Sequence, residues 1–324
     1  MKLLRALIVL SLAAMSAVPQ TAPAQAWPAK AITFVVGSEP GSAPDVYART
    51  VAEPMSRLLG QPVVVVNRTG ANGNIAAEWV AKAPADGYAL WAPAQSQIEI
   101  NPSAYPDLRW TPADFIGVIK GAESPLVLVT HASVPAKTLA ELTAWVKANP
   151  GKVSYASFSP GTLSHFLGHK LNERFGLDMP HITYKGSGPQ VQSLLGGHVP
   201  LGFSQIQTGL PHIQSGKFNA IATTGNARWR QLPAVPTFAE LGYPEFTAAT
   251  WFGLLVRSGT PPDILAKIAE AAKAAHTEPA VRARLEQMGF DVSAQTGAEL
   301  AASIRAGQER WAEVVKATGF KAAN

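Results

Sequence analysis

The chain has 324 residues, 47% hydrophobic and 15% charged, with a formal net charge of +5 and no cysteine. That length fits one or two globular domains, and the missing cysteines exclude disulfides, thiol catalysis, thiolate-bound metals and a lipid on an N-terminal Cys. The weak positive charge, with no Lys/Arg cluster interleaved with aromatics, argues against a nucleic-acid partner.

Residues 1–26 read as a signal peptide. Lys2 and Arg5 form a positive start, Ala6–Val18 a short apolar run, and Ala24–Ala26 a small-residue cleavage site. The run is shorter than the ~20 apolar residues a membrane span needs. Export to a bacterial periplasm is expected, with cleavage near Ala26/Trp27. The roughly 300 residues that remain suffice for a core without disulfides.

Strand, Gly/Pro loop and helix then alternate. Ile32–Val36 is a strand that breaks into a loop before a helix over 43–59. In that helix Ser42-Ala-Pro-Asp45 matches a capping pattern, with Pro44 in the first turn. Tyr47, Val51, Met55 and Leu58 share its core face, and Pro54 should kink it. Val63–Val66 reads as a buried strand, followed by a helix near 75–83 and a strand at 87–93. Further strands are predicted at 125–130, 152–157, 181–186, 199–204, 218–225 and 251–256. Helices are predicted over 138–148, opened by a Thr138/Glu141 capping box, and over 163–175, 189–195, 207–215, 262–275, 278–287 and 297–316. Such alternation implies an α/β fold with parallel pairing and right-handed crossovers. Two lobes are expected at this size, with 115–130 and 222–256 as the crossings.

The loops carry the chemistry. Ser38-Glu39-Pro40-Gly41-Ser42 delivers N–H groups and a helix's positive end to the carboxyl edge of a strand, where a carboxylate binds well. It reads equally as an ordinary tight turn. Ser157, Ser159, Gly161, Thr162 and Ser164 occupy a second such loop, with Thr162 as N-cap and Gly176 ending the helix. A third contains Lys185, the only cation in these loops; a fourth offers Ser204, Gln205 and Gln207. Gln95, Ser96 and Gln97 follow a strand and are polar but uncharged, as in a contact loop or a solvated one. Neutral donors of this kind hold an anion without burying a side-chain charge.

Enzyme signals are poor. There is no G-x-S-x-G elbow, phosphate-binding P-loop or G-x-G-x-x-G. His165 and His169 share an i, i+4 spacing but lack a third ligand, so neither a metal nor any cofactor is expected. A periplasmic serine hydrolase built on Ser164 and a distant His is the alternative from another class. A solute sensor for a membrane signalling protein is a third reading.

Several segments stand out along the mature chain: "NRTGANGNIAAEWVAKAPADGYAL" (67–90), "INPSAYPDLRWTPADFIGV" (100–118), "YKGSGPQVQSLLGGHV" (184–199), "ATTGNARWRQLPAVPTFAELGYPEF" (222–246) and "WFGLLVRSGTPPDIL" (251–265). In this order they resemble the Bug-type substrate-binding proteins of tripartite tricarboxylate transporters. The resemblance implies a two-lobed periplasmic binding protein fold, type II-like, each lobe a mixed, mostly parallel sheet flanked by helices. The lobes would comprise 27–121, then 122–225, then a return of 226–324 to the first. It implies a monomer, not an enzyme, that closes on a small organic carboxylate, aliphatic or aromatic, and delivers it to inner-membrane permease subunits. Its implied ligand-holding positions fall on Ser38–Asp45, and on Ser157, Ser159, Gly161, Thr162 and Ser164; within the first, Asp45 matches an acidic position that reads as a helix cap, not a ligand contact. Two departures stand out. The family loop usually reads Phe-Pro-Pro-Gly-Gly where this chain has Ser38–Ser42, and an Asp commonly stands where Ser204 is. Glu39 would repel an acid ligand, pair with a cationic group on it, or point to solvent.

Overall fold

The computed structural model describes residues 26–322; the signal peptide read over 1–26 lies outside them save for its last residue. In chain order the elements are β1 (Ile32–Val36), α1 (Ala43–Leu59), β2 (Val63–Asn67), α2 (Asn74–Lys82), β3 (Ala89–Ala92), α3 (Gln95–Glu99), α4 (Asn101–Ala104), β4 (Phe115–His131), α5 (Leu139–Lys147) and β5 (Tyr155–Ser157). They continue with α6 (Leu163–Phe175), β6 (His181–Thr183), α7 (Ser187–Leu195), β7 (Leu201–Gln205), α8 (Ile206–Gln214), β8 (Phe218–Thr223), β9 (Ala249–Arg257), α9 (Pro262–Thr277), α10 (Pro279–Gln287), β10 (Asp291–Thr296) and α11 (Gly297–Thr318).

Two mixed sheets share one long strand. In the first, β1 pairs parallel with β2 and β3, while β9 runs antiparallel to β3 and β4, and β10 antiparallel to β4. In the second, β5 pairs parallel with β6 and β7, while β7 and β8 run antiparallel to β4. Parallel pairing is thus confined to the βαβ units; the antiparallel ladders lie on the strands that cross between lobes. Strand β4 pairs with β9 up to Pro125 and with β7 and β8 from Leu126 onward. Beside that step Thr224 ties the crossings together. Its Oγ1 accepts from Leu126 N–H and donates to Ala248 O. Its backbone N–H donates to Leu126 O, and its carbonyl accepts from Ala248 N–H.

Alternation along β1 sends Ile32, Phe34 and Val36 to one apolar layer and Val35 to the other. Tyr47, Val51 and Met55 are buried as their spacing requires, but Leu58 is 52% exposed because Leu59 fills the last turn's contact with the core. Helix α1 runs unbroken through Pro54. Strand β2 is an edge strand, not a buried one, and Val64 is exposed. The stretch 226–248, expected with the first lobe, packs Trp229, Leu232, Phe238 and Phe246 into the second lobe's apolar clusters. There Phe238 lies between Phe203 and Phe246. The end of α11 follows it, placing Trp311 and Val315 in the same core.

Candidate ligand-binding cleft

Between the lobes lies a cavity of about 590 Å³. Loops after β1 and β2 and the start of α3 form one wall; loops after β5 and β6 and the end of β7 form the other. Every strand bordering it from a βαβ unit ends at this edge, the usual ligand position in such sheets.

The β1–α1 loop is built around Asp45, which is 2% exposed. Its carboxylate accepts from Gly41 N–H at 2.9 Å, Asn67 Nδ2 at 2.8 Å and Arg49 Nε at 3.0 Å. Burial alone would raise its pKa; the bonds from Arg49, Gly41 and Asn67 outweigh that and leave it below the ordinary carboxylate value. Asn67 also donates to Ser38 O at 2.9 Å. Ser42 takes the N-cap backbone position, but its hydroxyl turns back to Glu39 O at 2.6 Å. Gly41, at φ +79°, makes the turn that L side chains rarely allow.

Beside it, residues 69–73 form a second stretch of the same wall. Ala71 and Asn72, at φ +46° and +49°, are the non-glycine residues held left-handed among the described residues. Fully buried Asn101 holds them there: its Nδ2 donates to Asn72 O and Asn74 Oδ1, and its Oδ1 accepts from Asn72 Nδ2. A Cβ on Gly73 would lie 2.2 Å from Gln97 Nε2, so glycine is required for this close approach. The Gln97 carbonyl accepts from Ala94 N–H, which leaves its amide toward the cavity.

On the opposite wall, Thr162 caps α6 by backbone geometry while its hydroxyl donates to Ser159 O at 2.7 Å. The next loop is stitched to this one. Tyr184 N–H donates to Ser157 O and Gly186 N–H to Phe158 O. Ser187, the first residue of α7 and 3% exposed, lines the cavity with a hydroxyl that has no partner among the described residues. The same holds for the N–H groups of Ser38, Glu39, Ser159, Thr162 and Ser187. Thr162 and Ser187 stand at helix N-termini, where the backbone dipole favours an anion, and Ser38, Glu39 and Ser159 lie in the loops that lead into α1 and α6. Glu39 and Lys185 face the cavity from opposite lobes, and neither forms an ion pair among the described residues.

Ser38, Glu39, Ser42, Ser96, Ser159 and Thr162 are thus brought together at one cavity. Pro40 and Gly41 stand exposed at the loop's apex. Gln95 turns away, donating to Glu99 Oε2. Ser157 and Ser164 lie behind the loop, bonded to His181 and to Thr162 and Phe158 N–H, and Gly161 abuts Phe320. Ser204 is fully buried, with its hydroxyl on Gln205 O. The 69–73 stretch, Tyr105, Phe158 and Tyr184 join the cavity without having been singled out. The "TGANG" of 69–73 carried the same strand-then-glycine signal as 37–42 and could have been found by it.

Among the described residues Ser164 Oγ bonds no histidine, and the Ser157–His181 pair lies outside the cavity lining with no carboxylate bonded to it. His165 and His169 do not converge: His169 pairs with Glu173. Among the described residues no three metal-ligating side chains gather, and no helix is long and apolar enough to cross a membrane.

Two α/β lobes joined by crossing strands, with a donor-lined cavity between them, define a solute receptor of the periplasmic-binding type. The chain belongs to the tripartite tricarboxylate transporter family receptors, whose sequence model matches residues 47–320. It is a receptor, not an enzyme. Protein BugT of Bordetella pertussis is 37% identical over 300 residues, covering 92% of each chain. An R. palustris protein solved with adipate superimposes with a TM-score of 0.86 at 30% identity, covering 91% of this chain and 99% of that one. MatC of Rhodopseudomonas palustris with bound malate gives 0.83 at 31%, covering 89% and 100%.

Proposed function

We propose that the protein captures a small organic carboxylate between its lobes in the periplasm and delivers it to the membrane subunits of a tripartite tricarboxylate-type transporter. The supporting observation is the convergence of three helix N-termini with unpaired N–H and hydroxyl donors on one cavity. At about 590 Å³ the cavity lies within the usual range of roughly 300–1,000 Å³ for small-molecule sites. Relatives solved with adipate and malate point to the same ligand class. In this reading Ser38, Ser42, Ser159 and Thr162 surround one carboxylate. Lys185 and Ser187 offer a place for a second polar group, and Glu39 disfavours a further negative charge at the mouth. Tyr105, Phe158 and Tyr184 give the middle of the ligand an apolar surface.

Native mass spectrometry of the gently purified mature protein tests this, backed by a thermal-shift screen of organic acids. About one carboxylate per chain, bound saturably and released unchanged, is the expected result. A protein that stays empty and is stabilised by no acid in the screen would defeat the reading.

A further inference from the structure

His165, in the first turn of α6, and His181, on β6, lie face to face, with ring centroids 4.0 Å apart and planes 9° from parallel. Each grips a different end of the same loop. His181 Nε2 hydrogen-bonds Ser157 Oγ at 2.6 Å, and His165 Nδ1 accepts the Gly161 N–H at 3.2 Å. Between those anchors lie Phe158, Ser159 and Pro160, which form cavity wall. The loop in turn sets its neighbour, because Ser157 O and Phe158 O accept from Tyr184 and Gly186 N–H. Two of the second lobe's walls therefore hang on one pair of rings.

The bonding pattern fixes the chemistry of the pair. A backbone N–H only donates, so His165 Nδ1 must be unprotonated and its hydrogen must sit on Nε2. Ser157 also bonds Ser159 O at 3.1 Å. Both serine bonds form together when His181 donates from Nε2 and the hydroxyl passes its own hydrogen on to Ser159 O. Two imidazolium rings at this separation would repel.

The surroundings hold the rings in place. Tyr155 stacks on His181 at 5.0 Å, and its hydroxyl donates to His165 O. Phe320, from the tail after α11, meets His165 edge-on at 4.8 Å. His169, one turn further along α6, is directed to Glu173. Burial, with His181 and His169 nearby, lowers the pKa of His165 to about 3, and burial lowers that of His181 to about 4.

We propose that the His165–His181 stack is a positioning device, which holds the Ser157–Gly161 loop in its binding geometry and thereby sets ligand affinity without touching the ligand. The affinity half of this rests on the cavity being the ligand site; the positioning half does not.

The test compares His165→Phe, which keeps an aromatic ring but removes the acceptor, with His165→Asn, whose amide oxygen replaces Nδ1. Amide hydrogen exchange over 157–162 in the mature chain is read first, with residues 37–45 as internal control. The Phe variant should exchange about tenfold faster in 157–162, with Tyr184 and Gly186 following and 37–45 unchanged, and the Asn variant should recover most of the protection. Affinity for malate or adipate, whichever the native protein binds, should fall about tenfold in the Phe variant and be rescued by Asn. His181→Leu against His181→Gln repeats the comparison from the other ring, should His165→Phe fail to fold. Native-like exchange in the Phe variant would overturn the proposal. So would equal damage from Phe and Asn, the mark of a ring that merely fills space. If the native protein binds neither acid, the exchange result still decides the positioning role, and the carboxylate reading fails separately.

Discussion

The two strand-to-helix loops that face each other across the cleft solve one problem with opposite chemistry. Each must hold an irregular backbone with its N–H groups pointing into a cavity. The first-lobe loop is organised by a buried, ionised carboxylate, Asp45, which gathers Gly41, Asn67 and Arg49. The second-lobe loop is organised by neutral groups: Thr162, Ser164, Ser157 and two stacked imidazoles. Neither presents a fixed charge of its scaffold to the ligand, so both leave the binding to N–H and hydroxyl donors. What differs is how each scaffold fails, because an ionised acid and a neutral base are lost under different conditions.

The largest expected effect comes from the carboxylate. Asp45→Ala would leave the Gly41 N–H and the half-buried Asn67 amide without their shared acceptor. We expect a loss of about 2–3 kcal/mol in urea unfolding, most of it from those unsatisfied donors. The ion pair itself adds little, since the Arg49 side chain is 52% exposed and screened by solvent. Asp45→Asn, which keeps one acceptor, should cost about half as much. An alanine variant as stable as the native chain would mean that the first loop is held by its backbone turn alone.

Much of this contrast was legible in the sequence. The capping signals located both helix starts: Ser42 and Thr162 take the N-cap positions, and the Thr138/Glu141 box forms as expected. Propensity rules say which residue stands at a helix start, but not which acceptor its hydroxyl chooses. Ser42 and Thr162 both bond carbonyls three residues back instead of helix N–H groups. The histidine pair was illegible for a plainer reason. His165 and His181 sit on different elements, and only the β5–β6 pairing brings them together. The short helices α3 and α4 and strand β10 escaped for the same reason, since their apolar faces are defined by partners far along the chain. The packing of residues 226–248 was not legible either, because ring contacts far along the chain, not chain order, decide where Phe238 and Phe246 lie.

Acid should separate the two loops. At pH well above 6.5 the histidines are neutral whether the chain is folded or not. As pH falls from 6.5, the unfolded chain takes up protons that folded His165, His181 and His276 refuse until about pH 3, 4 and 4. Stability therefore drops as pH falls through that window. His276 contributes from the first lobe's core, where its Nε2 accepts from Tyr47 and its Nδ1 donates to Ala272 O. Asp45 behaves differently. Its pKa is lowered from 3.8, so its contribution is complete above that value and is lost only as pH falls below it. Melting temperatures should hold near pH 7.5 and fall from about pH 6.5 down to 4.5, and hydrogen exchange at pH 5 should loosen 157–162 before 37–45. Loosening of the first loop ahead of the second would reverse the comparison.

The smallest effect is also the cleanest comparison. Ser42→Ala and Thr162→Ala each remove a hydroxyl bonded to a carbonyl three residues earlier, and each should cost about 1 kcal/mol. Their consequences for binding should nonetheless differ. Ser42 stands in a loop that Asp45 still holds when the hydroxyl is gone, and that hydroxyl is spent on Glu39 O, so its loss should leave ligand binding nearly unchanged. Thr162 Oγ1 also bonds Ser164 Oγ, which accepts the Phe158 N–H, so removing it loosens the wall around Ser159 as well. Calorimetric titration with the acid identified by the screen should give the larger loss of affinity for Thr162→Ala. Equal losses would mean that the hydroxyl chain of the second loop adds nothing beyond its own contact, leaving the histidine pair as that loop's whole support.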